Sequence, residues 1–419
     1  MQAANSPNVD QETDLARIAT DRNTSLFQPD MQQRVDEIRD AVAGARILVI
    51  GGAGSIGSAT VRELVRFQPA ALHVIDQNEN ELAELVRSLR SAPQTFPVED
   101  FRTLPLDYGS IAAGAFLRAE APYDLVLNFA AIKHVRSEKD SFSILQMFDT
   151  NIVKQARLLG WLKNLGFQGR YFSVSTDKAA NPTSLMGASK RVMEHVMFDP
   201  GLVPGLACTI TSARFANVAF SNGSLLQSFV NRMRLGQPLA APEGTRRYFV
   251  SLQESGQLCT LAAVTGADRH ILIPRLDPET ALIEMQLVAE RFCAAMGYRP
   301  VPYRDEEQAR QAVARDRAAR SWPLLLTGLD TSGEKPYEEF VADREHSAEL
   351  GYRALMGVPY LALDDPDTMP RLMAEMAALF ARTATDPVDK DMLKGIIALA
   401  EPEFLDRHRD TGRNLDQRV

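Results

Sequence analysis

Three consecutive side chains concentrate the reactive chemistry of this sequence: the hydroxyl of Thr176, the carboxyl of Asp177 and the ammonium of Lys178. A carboxyl next to an ammonium can supply an acid and a base to one reaction if the surroundings shift both pKa values towards neutrality. The same triplet also suits a strand-end turn closed by a surface ion pair. It opens the segment STDKAANPTSLMGASK at 175–190, which ends in a second ammonium, Lys190. Met186 and Lys190 stand four positions apart and so share one helical face. Met186 can neither donate nor accept a proton, so its part there is packing.

A second group of residues suits a dinucleotide. The stretch GGAGSIG at 51–57 follows an apolar run and opens a helical pattern. In this spacing Gly51 permits a tight turn, Gly54 lets the backbone approach a pyrophosphate, and Gly57 lets the helix pack close to the sheet. The free N–H groups at the helix start, around Ser55 and Ile56, and the positive end of the helix dipole favour phosphate. Asp76 ends the next apolar run, nineteen positions after Gly57, where a carboxylate binds the adenosine ribose. No arginine follows it, only Gln77-Asn78-Glu79, so NAD is expected over NADP. Asp107 after a third run suits the adenine, and equally a turn. Ala130 and Ala131, after the fourth run, complete the expected cofactor contacts.

These residues need elements that hold them. Residues 46–50 (RILVI), 72–75, 125–129 and 171–174 read as short buried strands. Leu82, Leu85, Val86 and Leu89 mark a helix, and 143–164 reads as a longer one. Continuous apolar strands alternating with amphipathic helices predict an α/β fold: a Rossmann-type doubly wound parallel sheet with a smaller C-terminal substrate-binding domain. The expected division is 1–45 as an N-terminal arm and helix, 46–214 as the NAD-binding domain and 215–360 as mainly substrate-binding, with some segments returning to the first domain. Residues 361–419 form a helical extension with Leu372, Met376, Leu379 and Phe380 on one side. Residues 1–29 read as a loose polar arm. Asp30 is expected to cap a helix with Met31, Val35, Ile38 and Val42 inward, ending at Gly44.

Composition narrows the function. A net charge of -8 excludes broad nucleic-acid binding, which needs a basic surface. Cys208, Cys259 and Cys293 are too scattered for a metal site or a disulfide framework. With no apolar leader and no run of membrane-spanning length, a cytoplasmic location is expected.

Reductases of this fold carry a Tyr-x-x-x-Lys pair; here Lys190 is present and position 186 is methionine. Together with NFAAIKHV at 128–135, RFANV at 214–218, TRRYFV at 245–250 and GEKPYEE at 333–339, the segment 175–190 resembles the nucleotide-sugar 4,6-dehydratases of polysaccharide biosynthesis, the CapD-like extended short-chain dehydrogenases. The resemblance spans residues 46–265. A subgroup of that family also carries methionine at the tyrosine position. The stretch 270–330 departs from the pattern, and Thr331-Ser332 stand where an arginine is usual.

The resemblance implies a UDP-sugar substrate, with UDP-N-acetylglucosamine foremost, and a homo-oligomer. In that chemistry hydride leaves carbon 4 for NAD, a base takes the carbon 5 proton, an acid expels the carbon 6 hydroxide, and hydride returns to carbon 6. It assigns Lys178 as the base, Asp177 as the acid, Thr176 to the carbon 4 hydroxyl and Lys190 to the nicotinamide ribose. Lys178 then needs a lowered pKa, from burial or from Lys190, and Thr176 a water or lysine to relay to. Substrate contacts are expected from Lys133, His134, Asn217, Arg247 and Glu334. An epimerase or ketoreductase, which normally needs tyrosine at 186, and a non-catalytic NAD-binding sensor are the alternatives.

Overall fold

The computed structural model describes residues 9–93, 96–133, 138, 140–328, 335, 337–383 and 387–408. The apolar runs form β1 (Arg46–Ile50), β2 (Ala71–Asp76), β3 (Asp100–Pro105), β4 (Leu125–Asn128), β5 (Arg170–Val174) and β6 (Thr209–Ala213). All pair in parallel, in the order β3-β2-β1-β4-β5-β6. Strand His270–Pro274 extends the sheet in parallel beside β6, and Leu355–Pro359 closes the edge antiparallel. Four of the five β1 residues are buried, as a strand covered on both faces requires. The strand order reverses between β1 and β4. In doubly wound sheets a ligand crevice opens at the carboxyl ends beside that point.

Residues 215–360 contribute to two bodies. Leu239–Pro242, Ser321–Thr327 and Arg299–Tyr303 form a separate three-stranded parallel sheet. Its own core contains Phe229, Phe292, Trp322 and Leu324.

The N-terminal segment differs from the sequence expectation. Residues Val9–Thr20 form a helix, α1, whose Leu15, Ile18 and Ala19 pack onto the smaller core. Their i, i+3, i+4 spacing is an apolar stripe that polar neighbours obscure. The expected single helix is two, α2 (Gln28–Gln33) and α3 (Val35–Val42), broken at Arg34. Asp30 caps neither. It is buried inside α2 and accepts hydrogen bonds from the backbone N–H groups of Arg353 and Ala354, at 2.6 and 2.9 Å. Ile38 and Val42 are buried and Gly44 has a φ of +73°, as the helix end requires.

At the other end, helices Thr368–Arg382, Lys390–Ala398 and Phe404–Arg407 follow the main sheet, with Leu372, Met376 and Leu379 fully buried. Among the described residues no helix is long and apolar enough to cross a membrane.

Candidate active site

The glycine turn joins β1 to helix α4 (Ser55–Val65). Gly51 has a φ of +68°, and a Cβ there would lie 2.6 Å from the Ala130 backbone N. A Cβ on Gly57 would lie 2.4 Å from the Gly51 O, so only glycine lets α4 approach this closely. Gly52 is equally constrained, by Val74 at 2.6 Å. Gly54 differs: its nearest neighbour would be 3.6 Å away, so the space beside it is free of close protein atoms. Gly54 also supplies no side-chain cap to α4, whose first N–H groups stay available to an anion. Ser55 accepts a hydrogen bond from the Asn222 N–H at 2.9 Å, and Ile56 is half-buried. Asp76 ends β2 against this turn, accepting from Ala53 N at 3.1 Å and Asn78 N at 3.0 Å. Asp107 instead pairs with Lys154, at 2.6 Å. Ala130 and Ala131 follow β4, both half-buried.

Two strand spacings away, about 10 Å across the sheet, β5 ends at Val174 and delivers the reactive triplet. Residues Asp177–Ala179 form a 3-10 turn, and helix Leu185–Phe198 starts on a Ser184 cap. One oxygen of Asp177, Oδ1, accepts from Thr176 Oγ1 at 2.7 Å, Lys178 N at 2.9 Å and Lys178 Nζ at 3.1 Å. The other, Oδ2, is buried and has no hydrogen-bond partner among the described residues. The Lys178 side chain is 25% exposed and therefore reachable.

Lys178 corrects one expectation and Thr176 another. Burial pulls the Lys178 ammonium down, but the carboxylates of Asp177 and Glu338 outweigh it and leave its pKa above the ordinary lysine value. The nearby cation acting on it is Arg247. Lys190 is instead engaged with the Val174 O at 2.6 Å, and burial pushes its own pKa down to about 8. Thr176 hands its hydrogen to a carboxylate, where a water or lysine was expected.

Met186 is buried, and its backbone N–H donates to Glu138 Oε1 at 2.9 Å. Lys133 is exposed after β4. Asn151 lies in a single π-helical turn, Asp149–Val153, and bonds both the Ile132 backbone and Ser189 Oγ. It thereby fixes the β4 loop to the helix bearing Lys190. Asn217 pairs with the backbone of Tyr248 and Phe249. Arg247 donates to the carbonyls of Arg246 and Lys335 at 2.9 and 3.0 Å. His134 and Glu334 lie outside the described residues.

Sequence reading missed a carboxylate–guanidinium network beneath the triplet. Arg214, fully buried, donates in a fork to both oxygens of Glu194, at 2.8 and 2.6 Å, and to Glu345 at 2.6 Å. Ser175, beside Thr176, donates to Glu194 at 2.6 Å. Arg191 reaches Glu194 at 3.1 Å and Glu401 at 3.2 Å, and Glu401 contacts His195 at 3.0 Å. The ends of β5 and β6, the Lys190 helix and the C-terminal segment are thus pinned through buried charge. Glu194, four positions after Lys190, was the available signal. Glu338 was missed too: it is buried, and its Oε1 is 3.8 Å from Lys178 Nζ.

A family model described as polysaccharide biosynthesis protein matches residues 47–359. An uncharacterized membrane protein of Methanocaldococcus jannaschii is 31% identical over 258 residues, 61% of this chain and 73% of its own length. The probable polysaccharide biosynthesis protein EpsC of Bacillus subtilis is 26% identical over 318 residues, 75% of this chain. This chain spans 48% of that relative's length. Among solved structures, Pen from Bacillus thuringiensis superposes with a TM-score of 0.60 at 20% identity, over 77% of this chain and 89% of Pen. That likeness speaks for the fold alone.

Proposed function

The chain belongs to the polysaccharide biosynthesis protein family, and from that premise we propose that it is an NAD-dependent nucleotide-sugar 4,6-dehydratase acting on UDP-N-acetylglucosamine. The observation that carries the reading is the Thr176–Asp177–Lys178 cluster, which joins a hydroxyl, a carboxyl and an ammonium through Asp177 Oδ1 at 2.7 and 3.1 Å. Met186 on the same segment favours dehydration over epimerisation, because a simple reductase or epimerase uses tyrosine there.

The residues fit the cofactor. The space beside Gly54, the uncapped start of α4 and the half-exposed Asp76 suit a pyrophosphate and a ribose. Glu79 and Glu81 in the first turn after Asp76 disfavour a 2′-phosphate. Bound NAD supplies a store for the hydride that leaves carbon 4 and returns to carbon 6.

The chain's own residues move the protons. Thr176 takes the carbon 4 hydroxyl proton while passing its own to Asp177 Oδ1, its 2.7 Å partner. Asp177 is then the acid that gives a proton to the departing carbon 6 hydroxide. Lys178 as free amine removes the carbon 5 proton, which the new ketone has made acidic, and later returns a proton to that carbon. Two protons leave the sugar and two come back, one of them to carbon 5 and one to the hydroxide. Arg247, two residues before the Phe249 that pairs with Asn217, is the candidate clamp for the diphosphate. Lys190 holds the ribose of the nicotinamide, and Lys133 faces the sugar.

Incubation with UDP-N-acetylglucosamine in deuterated water, followed by mass spectrometry and NMR, tests the reading. A 4-keto-6-deoxy product with deuterium at carbon 5 is expected. A product of unchanged mass, inverted at one carbon, would make the protein an epimerase. Binding of NAD with no turnover of any UDP-sugar would favour the sensor.

A further inference from the structure

We propose that Glu338 is a positioning residue that governs the proton of Lys178, holding its ammonium in the resting site and accepting a proton from it when the free amine is needed. The inference rests on the dehydratase reading, in which Lys178 acts as a base. The structure poses the problem directly. A base must lose its proton, yet Lys178 stands between two carboxylates, with Asp177 Oδ1 at 3.1 Å and Glu338 Oε1 at 3.8 Å. Asp177 is already committed to Thr176 and to the Lys178 backbone, through the same oxygen. Glu338 is the carboxylate on the other side, and it is 5% exposed.

Its placement is built. Asn181, just past the 3-10 turn, adopts a φ of +47° and donates to Glu339 at 3.2 Å and to Asp343 at 2.9 Å. The Asp343 N–H donates back to Asn181 at 3.1 Å, and Lys335 Nζ reaches the Ala180 O at 3.3 Å. The strand of chain carrying Glu338 is therefore fastened to the catalytic turn on both sides. Asp177, Lys178, Arg247 and Lys335 are the charged groups that act on Glu338. Burial raises the Glu338 carboxyl above its ordinary value against the opposing pull of Lys178, which brings its proton affinity closer to that of an amine.

The step balances within the site. An N–H bond of the Lys178 ammonium breaks, an O–H bond forms on Glu338, and two opposite charges become a neutral amine and a neutral acid. Exclusion of water by the bound sugar favours that neutral pair, because a low-dielectric site penalises two separate charges. After Lys178 has taken and returned the carbon 5 proton, Glu338 gives its proton back.

The test uses the full chain and the variants Glu338→Gln and Glu338→Asp. The first readout needs no turnover: the pH dependence of Lys178 acetylation by acetic anhydride, followed peptide by peptide by mass spectrometry. Glu338→Gln should lower the proton affinity of Lys178 about tenfold or more, and Glu338→Asp should recover part of it. The second is kcat/KM for UDP-N-acetylglucosamine against pH. Its acid limb should move to lower pH in Glu338→Gln, with a lower plateau and little change in KM. An unchanged Lys178 titration, or a rate loss equal at every pH, overturns the proposal. If wild type dehydrates no UDP-sugar while the Lys178 titration still shifts, the dehydratase reading fails and the pairing stands. Should circular dichroism show Glu338→Gln unfolded, Glu338→Asp carries the same readouts, with a smaller shift expected and no shift contradicting the idea.

Discussion

At Asp177 the two oxygens of one carboxylate live in different surroundings. One accepts from a hydroxyl, a backbone N–H and an ammonium, while the other is buried without a partner among the described residues. Replacing the carboxylate by an amide keeps the shape and removes the acid. Asp177→Asn should therefore lower kcat by about 10²–10⁴, and a fluorescence titration should find NAD affinity kept. Loss of NAD binding in that variant would mean that Asp177 supports the cofactor site. Thr176→Val should also reduce kcat, since it severs the path from the carbon 4 hydroxyl to Asp177; full turnover would remove Thr176 from the relay. The reactive triplet was legible because its members are adjacent in sequence. Its electrostatics were legible only in part, because beside burial and the adjacent Asp177 two further groups that act on Lys178, Glu338 and Arg247, arrive from other parts of the chain.

At the level of elements, the strand–turn–helix of β1, the glycine turn and α4 follows from local sequence, because the contact that demands glycine at 57 is with the Gly51 O six residues earlier, whereas the one at Gly51 comes from the Ala130 backbone just past β4. Gly57→Ala pushes a methyl into the Gly51 O and should destabilise the fold by about 1–3 kcal/mol, read by urea unfolding, while weakening NAD binding. Unaltered stability and NAD affinity would show that the turn relaxes freely. The charge network is a different case. Glu194 accepts from Arg214, and Arg214 also donates to Glu345 from a distant segment. No local pattern announces a fully buried arginine. Arg214→Leu leaves two buried carboxylates without their shared cation and should cost about 3–5 kcal/mol, again by urea unfolding. A cost near zero would mean that Arg191 compensates. The expected loose arm at 1–29 misses the helix Val9–Thr20 for a related reason: Leu15, Ile18 and Ala19 of α1 acquire a partner surface only once the smaller core is folded.

Across the whole molecule, the antiparallel strand Leu355–Pro359 returns the chain to the main sheet, and the C-terminal helices place Glu401 on the Lys190 helix. This closure depends on ionised carboxylates, so it has a pH signature. Burial alone would raise the Glu345 carboxyl, but Arg214 outweighs it and holds it at about 2, against an ordinary 4.5. A carboxylate depressed on folding contributes stability that is fully present above the unfolded value and fades as pH falls from 4.5 towards about 2. Glu345→Gln should flatten the loss of stability in that acid window, measured by urea unfolding at stepped pH, and an unchanged slope would discount the pair. The proposed reaction would also span the molecule, since it requires the glycine turn, the β5 triplet and residues from 215–360 to face one sugar. A substrate deuterated at carbon 4, mixed with unlabelled substrate carrying a heavy uridine, tests that claim most directly. The account predicts deuterium at carbon 6 of the product, confined to molecules with the light uridine; deuterium retained at carbon 4, or lost to solvent, would contradict it.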